Sequence, residues 1–245
     1  VRLALDLARS VAMEYRDIKR ARVVGVFFLL AMVASLWGGG LIETILAETD
    51  FITAASAENT TLFAGVLLEL VNCIAVIGIA VALFPLFRQV DESLGLGYVA
   101  VRGVEATILT MAALVPLTLL GLSETAGVAG DPTWLPLGRT LIIGRGFLTS
   151  LLTTTFFSLG AALFYTLLHR GRLLPRFITI WGFVATILIF GWNLLESFGV
   201  SVPAGMLLAL PIILNEVFLG FWLIIKGFSA REMPAGKPRP ALQNV

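Results

Sequence analysis

Residues 62–87 read LFAGVLLELVNCIAVIGIAVALFPLF and contain one charged side chain, Glu69. A helix needs about 20 apolar residues to cross a bilayer core of about 30 Å, so this run is long enough. Further runs qualify as well, which gives six predicted spans at 21–47, 62–87, 98–122, 140–168, 177–198 and 202–225. Lipid offers no hydrogen-bond partner to backbone N–H and C=O groups, so only helices and closed barrels cross a membrane. Barrel strands alternate polar and apolar residues, and these runs do not. We therefore expect an all-α bundle of six transmembrane helices.

The composition of the whole chain also indicates a membrane protein. Of its 245 residues, 58% are hydrophobic and 13% are charged, whereas soluble domains carry about 45–50% and about 25%. The six spans occupy nearly the whole chain and leave no room for a soluble domain. No contiguous basic segment indicates nucleic-acid binding, and a single cysteine, Cys73, excludes an internal disulfide bond.

The distribution of basic residues predicts the orientation of the bundle. Lys and Arg concentrate before the first span, between spans four and five, and after span six: Arg2, Arg9, Arg16, Lys19, Arg20, Arg22, Arg170, Arg172, Arg176, Lys226, Arg231, Lys237 and Arg239. The loops at 48–61 and 123–138 contain acidic residues and neither Lys nor Arg. By the positive-inside rule, both ends of the chain are predicted to lie in the cytoplasm, with the bundle (21–226) in the inner membrane.

The segments before and after the spans have their own predicted structures. Residues 1–20 alternate apolar and charged side chains, which favours an amphipathic helix on the cytoplasmic face of the membrane. Alternatively, translation starts at Met13 and the earlier residues are an extension. Residues 227–245 are rich in Pro and Gly and are predicted to be a disordered cytoplasmic tail.

Every predicted span carries an ionisable residue. Each such charge costs about 2.5–3.5 kcal/mol at the bilayer centre, so it needs a partner, water or an interface. The candidate polar binding residues are Glu69, Asn72, Arg145, Asn193, Glu196, Asn215 and Glu216, with Glu43, Arg102 and Glu105 as secondary candidates. A spacing of three residues places Glu69 with Asn72, and Asn193 with Glu196, on one face of a helix.

The predicted topology places three of these carboxylates and one arginine in the outer half of the membrane. If their polar faces turn inward, Glu43, Glu69 and Glu196 surround Arg145. This predicts a polar cluster that opens outward, in which at least one glutamate is protonated or a cationic group is bound. A network that merely holds the helices together explains the same residues equally well.

Other residues have simpler interpretations. Glu43 and Arg139 are expected to be interfacial side chains that reach the headgroups. Arg102 and Glu105 are expected to form an exposed pair within one helix at the inner boundary. The glycines at 38–40 and Pro211 indicate either broken helices at a binding site or ordinary packing and kinks.

Three function classes stay open. The first is binding or transport of a small solute, ion or lipid, and the second is a non-catalytic membrane scaffold or partner subunit. The third is a lipid- or quinone-modifying enzyme that uses a buried glutamate as acid or base. The enzyme has the least support, because the lone histidine, His169, lies in an inner loop and Cys73 has no histidine nearby. The sequence therefore predicts no metal site and implies no cofactor.

Three segments resemble a known family. They are ARVVGVFFLLAMVAS at 21–35, GVLLELVNCIAVIGIA at 65–80 with LFP at 83–85, and GYVAVR at 97–102 with Glu105. Together they resemble the bacterial membrane-protein family called domain of unknown function 4386, over about residues 21–228. The resemblance implies a six-helix membrane fold and a prokaryotic source, and it implies no activity or catalytic residue.

Overall fold

The chain folds as an assembly of α-helices. A computed structural model describes residues 2–125, 131–203 and 205–229, with side chains from residue 18 onward apart from Met206. Within these ranges no strand occurs. The α-helices there are α1 (Arg2–Leu46), α2 (Phe51–Ala57), α3 (Asn59–Phe87), α4 (Glu92–Ser123), α5 (Leu135–Gly146), α6 (Thr153–Arg170), α7 (Arg176–Ser197) and α8 (Leu210–Ile225).

Five helical stretches among the described residues are long and apolar enough to cross a membrane. They are Ile18–Leu46 in α1, helix α3, helix α4, the stretch Pro132–Arg170 that contains α5 and α6, and helix α7. The all-α membrane fold predicted from the sequence is therefore confirmed, with five such helices and a shorter apolar one, α8. Helix α8 has 16 residues, about 24 Å at 1.5 Å per residue.

Helix α8 is shorter than the predicted span at 202–225 because of Pro211. This proline lies in the first turn of α8, where a missing N–H breaks no helical hydrogen bond. A 3₁₀ turn at Gly205–Leu208 precedes the helix. Pro211 thus marks a helix start, and it does not kink a longer helix.

The long helices pack in a closed ring in chain order. Helix α1 contacts α3, α3 contacts α4, α4 contacts α6, α6 contacts α7, α7 contacts α8, and α8 returns to α1. Glycines bring α1 close to both of its neighbours: Gly25 faces Gly220 of α8, and Gly38 faces Gly65 of α3. Helix α1 runs unbroken through 38–40, so the broken-helix interpretation of these glycines is wrong and close packing explains Gly38.

One end of the ring carries most of the basic residues. Arg170 lies 3.8 Å from the carboxylate of Asp91, which brings the turn after α3 next to the end of α6. The backbone N–H of Ser229 donates to the carbonyl oxygen of Leu173 at 2.9 Å, so the segment after α8 reaches the same end. Arg88, Arg172, Arg176 and Lys226 also lie in these segments, whereas Arg139 lies toward the opposite end.

The opposite end carries a helix that the sequence analysis missed. The expected loop at 48–61 contains α2, which buries Phe51, Ile52 and Ala55 against the bundle. Asp50 accepts a hydrogen bond from the backbone N–H of Thr53 and caps this helix. At the same end, Asp131 accepts from Thr133, and this hydrogen bond holds the pKa of the Asp131 carboxyl below its usual range.

The two terminal predictions have different outcomes. The backbone from Arg2 is helical and continuous with the first span; its placement on the membrane surface stays a prediction. Most of the predicted disordered tail, residues 230–245, lies outside the described residues.

Candidate functional site

Arg145 has the largest side chain among the fully buried ones in the described part of the chain, with 2% of its surface exposed. It lies ten residues after the start of α5, about 15 Å along the helix axis. Its Nη1 and Nη2 atoms both donate to the carboxylate of Glu69 on α3. Its Nε donates to Glu43 on α1 at 3.3 Å. Arg145 thus ties α5 to both helices of the α1–α3 pair.

The remaining bond of Arg145 reaches a backbone carbonyl that a proline has freed. Nη1 donates to the carbonyl oxygen of Ala112 on α4 at 2.8 Å. In a regular helix this carbonyl would accept from the residue four positions later, which is Pro116 and has no N–H. Arg145 therefore satisfies an acceptor that α4 cannot satisfy by itself. The sequence analysis missed this contact, although the Pro116 spacing is a signal for it.

The charges of the Arg145 cluster (Glu43, Glu69 and Arg145) do not balance when both carboxylates are ionised. Glu69 binds Arg145 at two points, and its side chain is 10% exposed. Glu43 makes one bond, and its side chain is 61% exposed. A buried ion pair is stable only when its geometry is good and its remaining polar atoms are satisfied, as they are between Glu69 and Arg145. With both carboxylates ionised, Glu43 is therefore the less compensated and the more exposed of the two.

A π-helical segment follows Arg145 directly. Residues Phe147–Leu152 form it between α5 and α6. The hydroxyl of Thr149 donates to the carbonyl oxygen of Arg145 at 3.0 Å, and the hydroxyl of Thr153 donates to that of Leu148 at 2.8 Å. Segments of this kind are rare and frequently occur at functional sites. The sequence analysis treated 140–168 as one regular helix and did not predict it.

Glu196 does not join the Arg145 cluster, and that expectation is wrong. It lies exposed in the last turn of α7 and forms no ion pair with the described residues. Helix α7 packs mainly against α6 and α8, so it is not a ring neighbour of α1 or α3. Asn193, on the same helix, accepts a hydrogen bond from Thr154 at 3.4 Å. Asn72 is buried on α3, and its side chain makes no hydrogen bond to another described side chain.

Arg102 and Glu105 are buried, so the prediction of an exposed pair is also wrong. Their exposed fractions are 5% and 3%, and Nη1 of Arg102 donates to Glu105 at 2.7 Å. Helix α6 covers the pair, because Gly160 has no side chain: a Cβ there would lie 2.9 Å from Cδ of Arg102. The Phe157 ring of α6 also lies against the guanidinium, 5.6 Å from Cζ to the ring centroid.

Asn215 and Glu216 lie near this second pair. Asn215 is fully buried; it accepts a hydrogen bond from the Tyr165 hydroxyl at 2.6 Å and donates to the carbonyl oxygen of Ile178 at 3.2 Å. It therefore links α6, α7 and α8. Glu216 lines a small cavity together with Arg102. The structure thus places six of the ten predicted residues in two groups, the Arg145 cluster and an Arg102 cluster (Arg102, Glu105 and Glu216).

Both clusters contact helix α4, at different positions along its axis. Arg102 and Ala112 are ten residues apart on α4, which corresponds to about 15 Å. Between these heights, the Thr110 hydroxyl lies 3.8 Å from the sulfur of Cys73. Among the described residues, no three His, Cys, Asp or Glu side chains converge as ligands for a metal ion.

Arg139 lies outside both clusters. It is exposed and lines an open cleft of about 240 Å³ with Phe51, Ile142 and residues 46–49. Its expected role as an interfacial side chain stays a prediction, whereas Glu43 contacts Arg145 as described above.

Comparisons with known proteins identify a family and no characterised relative. The family model described as "Domain of unknown function (DUF4386)" matches residues 23–227. No curated protein and no solved structure matches the chain. The matched residues include all members of both clusters.

Proposed function

The chain belongs to the DUF4386 family, and from its buried charges we propose that it binds a small solute or ion at the Arg145 cluster. The observation that carries this proposal is the arrangement of one buried arginine with two carboxylates, one of which is largely exposed. Transport of the bound species is the natural extension for a protein that spans the membrane several times.

The proposed topology has six crossings, with α8 and its preceding 3₁₀ turn as the sixth. Both ends of the chain lie in the cytoplasm of a bacterial cell, since the basic end of the ring is the cytoplasmic end under the positive-inside rule. The Arg145 cluster then belongs to the outer part of the membrane, with Glu43 only three residues from the outer end of α1.

The charge of the cluster favours a cationic ligand. With Glu43 and Glu69 ionised, Arg145 neutralises one of two negative charges. Glu43 uses one carboxylate oxygen to accept from Arg145, which leaves the other oxygen for a ligand. A small cation, or the ammonium group of a solute or lipid headgroup, would balance the surplus charge.

A scaffold function is the second candidate, and a specific observation favours it. Each of the three guanidinium nitrogens of Arg145 already donates a hydrogen bond within the bundle. A satisfied network of this kind also serves to hold α1, α3, α4 and α5 together. The two candidates differ in whether water and ligands reach Glu43.

Thiol labelling tests access to Glu43. In a Cys73→Ser background, a single cysteine replaces Gly39, which lies one turn before Glu43 on α1 and whose added Cβ meets no neighbouring atom. A membrane-impermeant maleimide, added to intact cells, is expected to label Gly39→Cys, because a ligand path to Glu43 must contain water. The labelled protein is distinguished from the unlabelled protein by its slower migration on a denaturing gel.

Matched positions make the labelling result decisive. Ala57→Cys, exposed on α2, reports full access from outside, and Ile74→Cys, 67% exposed on α3, reports a lipid-facing position and stays unlabelled. Arg176→Cys is labelled only after the membrane is permeabilised. If Gly39→Cys behaves like Ile74→Cys, the Glu43 face contacts lipid and the scaffold becomes the better interpretation.

Cation-dependent stabilisation tests binding itself. Purified protein is heated in detergent with sodium, potassium, tetramethylammonium or ethanolammonium ions at constant ionic strength. One of these probes is expected to raise Tm, since a ligand at one hundred times its Kd stabilises the folded state by about 2.7 kcal/mol. The rise disappears in Glu43→Gln and persists in Glu196→Gln. An equal rise in both variants would indicate general surface binding and contradict the proposal.

A further inference from the structure

A small cavity lies among α4, α6 and α8, separate from the Arg145 cluster. Its volume is about 10 Å³, close to the smallest space that holds one water molecule. Its polar lining comes from Arg102, Glu216, Tyr98 and Tyr165, and its remaining lining is apolar, including Phe28 of α1. The cavity is thus too small for an organic solute, and it contains two oppositely chargeable groups.

Both chargeable groups have unused polar atoms. Nε of Arg102 is buried and has no hydrogen-bond partner among the described residues, while Nη1 of the same side chain is bonded to Glu105. Glu216 makes neither a hydrogen bond nor an ion pair in the part of the chain that the structure describes. Since a buried donor without a partner is costly, a water molecule that accepts from Nε of Arg102 is the simplest occupant.

The charges facing Glu216 determine the state of its carboxyl group. Arg102 and Glu105 of α4 already form a neutral pair at 2.7 Å. Helix α4 otherwise presents Tyr98 to the cavity, α6 presents Tyr165 and apolar side chains, and α1 presents Phe28, none of which is charged. An ionised Glu216 would therefore be a second negative charge facing one positive charge. Such an uncompensated charge inside a membrane protein is strongly disfavoured.

We propose that Glu216 is a proton-binding site, with its carboxyl group protonated near neutral pH while Arg102 and Glu105 remain an ion pair. The proton comes from the aqueous phase and forms the O–H bond of the carboxyl group, so the Arg102 cluster carries no net charge. A bound water accepts from Arg102 and connects it to Glu216. This proposal does not depend on ligand binding at the Arg145 cluster, which lies about 15 Å away along α4.

The same charge balance predicts how the proton is released. If Glu105 loses its charge, Arg102 keeps a positive charge without a partner, and Glu216 becomes the nearest carboxylate that can balance it. Glu216 then gives up its proton to the aqueous phase. The protonation of Glu216 is therefore controlled by the Arg102–Glu105 pair.

Infrared difference spectroscopy of the purified protein in phosphatidylcholine vesicles tests the proposal. A protonated carboxyl group has a carbonyl band that is separate from the carboxylate bands and shifts in D₂O. Near neutral pH, the unmodified protein is expected to show one such band that disappears in Glu216→Gln and persists in Glu196→Gln. Glu105→Gln is expected to lose the band as well, although Glu216 is still present.

Specific outcomes would overturn the proposal. The absence of any protonated carboxyl band in the unmodified protein near neutral pH would do so, and so would a band that persists unchanged in Glu216→Gln. If Glu216→Gln does not fold, Glu216→Asp replaces it: a displaced carbonyl band supports the assignment, and an unshifted band refutes it. The loss or displacement of the band on replacement of Glu216 does not depend on cation binding at Glu43, so failure of this test and failure of the cation test are distinguishable.

Discussion

Replacement of Glu69 by alanine is expected to lower the free energy of unfolding by about 3–5 kcal/mol. In this variant Arg145 stays charged and buried, with 2% of its surface exposed, but it loses the carboxylate that accepts from both Nη1 and Nη2. The Glu43 carboxylate still accepts from Nε alone. An uncompensated buried charge of this kind is far costlier than the loss of a surface ion pair. Titration of the purified protein from mild detergent into dodecyl sulfate, followed by tryptophan fluorescence, measures the change.

The control for this variant is Glu196→Ala. Glu196 is exposed and unpaired within the described residues, so its replacement should change the free energy of unfolding by less than about 0.5 kcal/mol. Losses of similar size at the two positions would mean that Glu69 contributes no more than an ordinary surface carboxylate.

The double variant Glu69→Leu with Arg145→Met separates the ion pair from simple packing. Both charges are then removed, so we expect the double variant to be more stable than either single variant. It should still be less stable than the unmodified protein by about 1–3 kcal/mol, because the carbonyl of Ala112 loses its donor and Pro116 supplies none. Strictly additive losses would show that Glu69 and Arg145 do not act as a pair.

Replacement of Gly25 by valine is expected to cost about 3 kcal/mol or more. A Cβ at Gly25 would lie 2.6 Å from the carbonyl oxygen of Gly220 and 3.1 Å from the backbone nitrogen of Ile224. Both atoms belong to the α8 backbone and cannot move as a flexible side chain would, so α1 and α8 must separate and the ring opens. The same dodecyl sulfate titration measures the loss.

Gly39→Val provides the matched control on the same helix. An added Cβ at Gly39 meets no atom within 4 Å, so only helix propensity changes, by about 0.5 kcal/mol or less. Equal effects at Gly25 and Gly39 would show that the cost arises from the valine in α1 itself and not from the contact with α8.

Several elements of the fold were predictable because each depends on a short local run. The second span was predicted at 62–87 and is observed at Asn59–Phe87, since an apolar run of that length has one stable structure in lipid. The last helix begins at Leu210, later than the predicted span at 202–225, because an apolar run does not show that Pro211 lies in the first turn of the helix. Helix α2 was missed because seven residues have a weak local signal, and the burial of Phe51 stabilises it.

The pairing of the candidate residues was much less predictable. Glu69 and Glu43 contact Arg145, whereas Glu196 lies exposed at the end of α7 and Glu216 belongs to the Arg102 cluster. The apolar residues of these helices surround the whole helix, so the sequence pattern does not show which face turns inward. Burial of Arg102 likewise depends on a residue far away in the chain, Gly160 on α6.

The sequence by itself determined that this protein is an all-α membrane protein and which ionisable residues lie within its helices. Both conclusions follow from transfer free energies, which are summed residue by residue along the chain. Only the tertiary structure decided that six of these residues form two clusters, each with one arginine and two glutamates, and that Glu196 and Arg139 stay outside them. That division depends on the ring order and rotation of the helices, which contacts between distant segments determine.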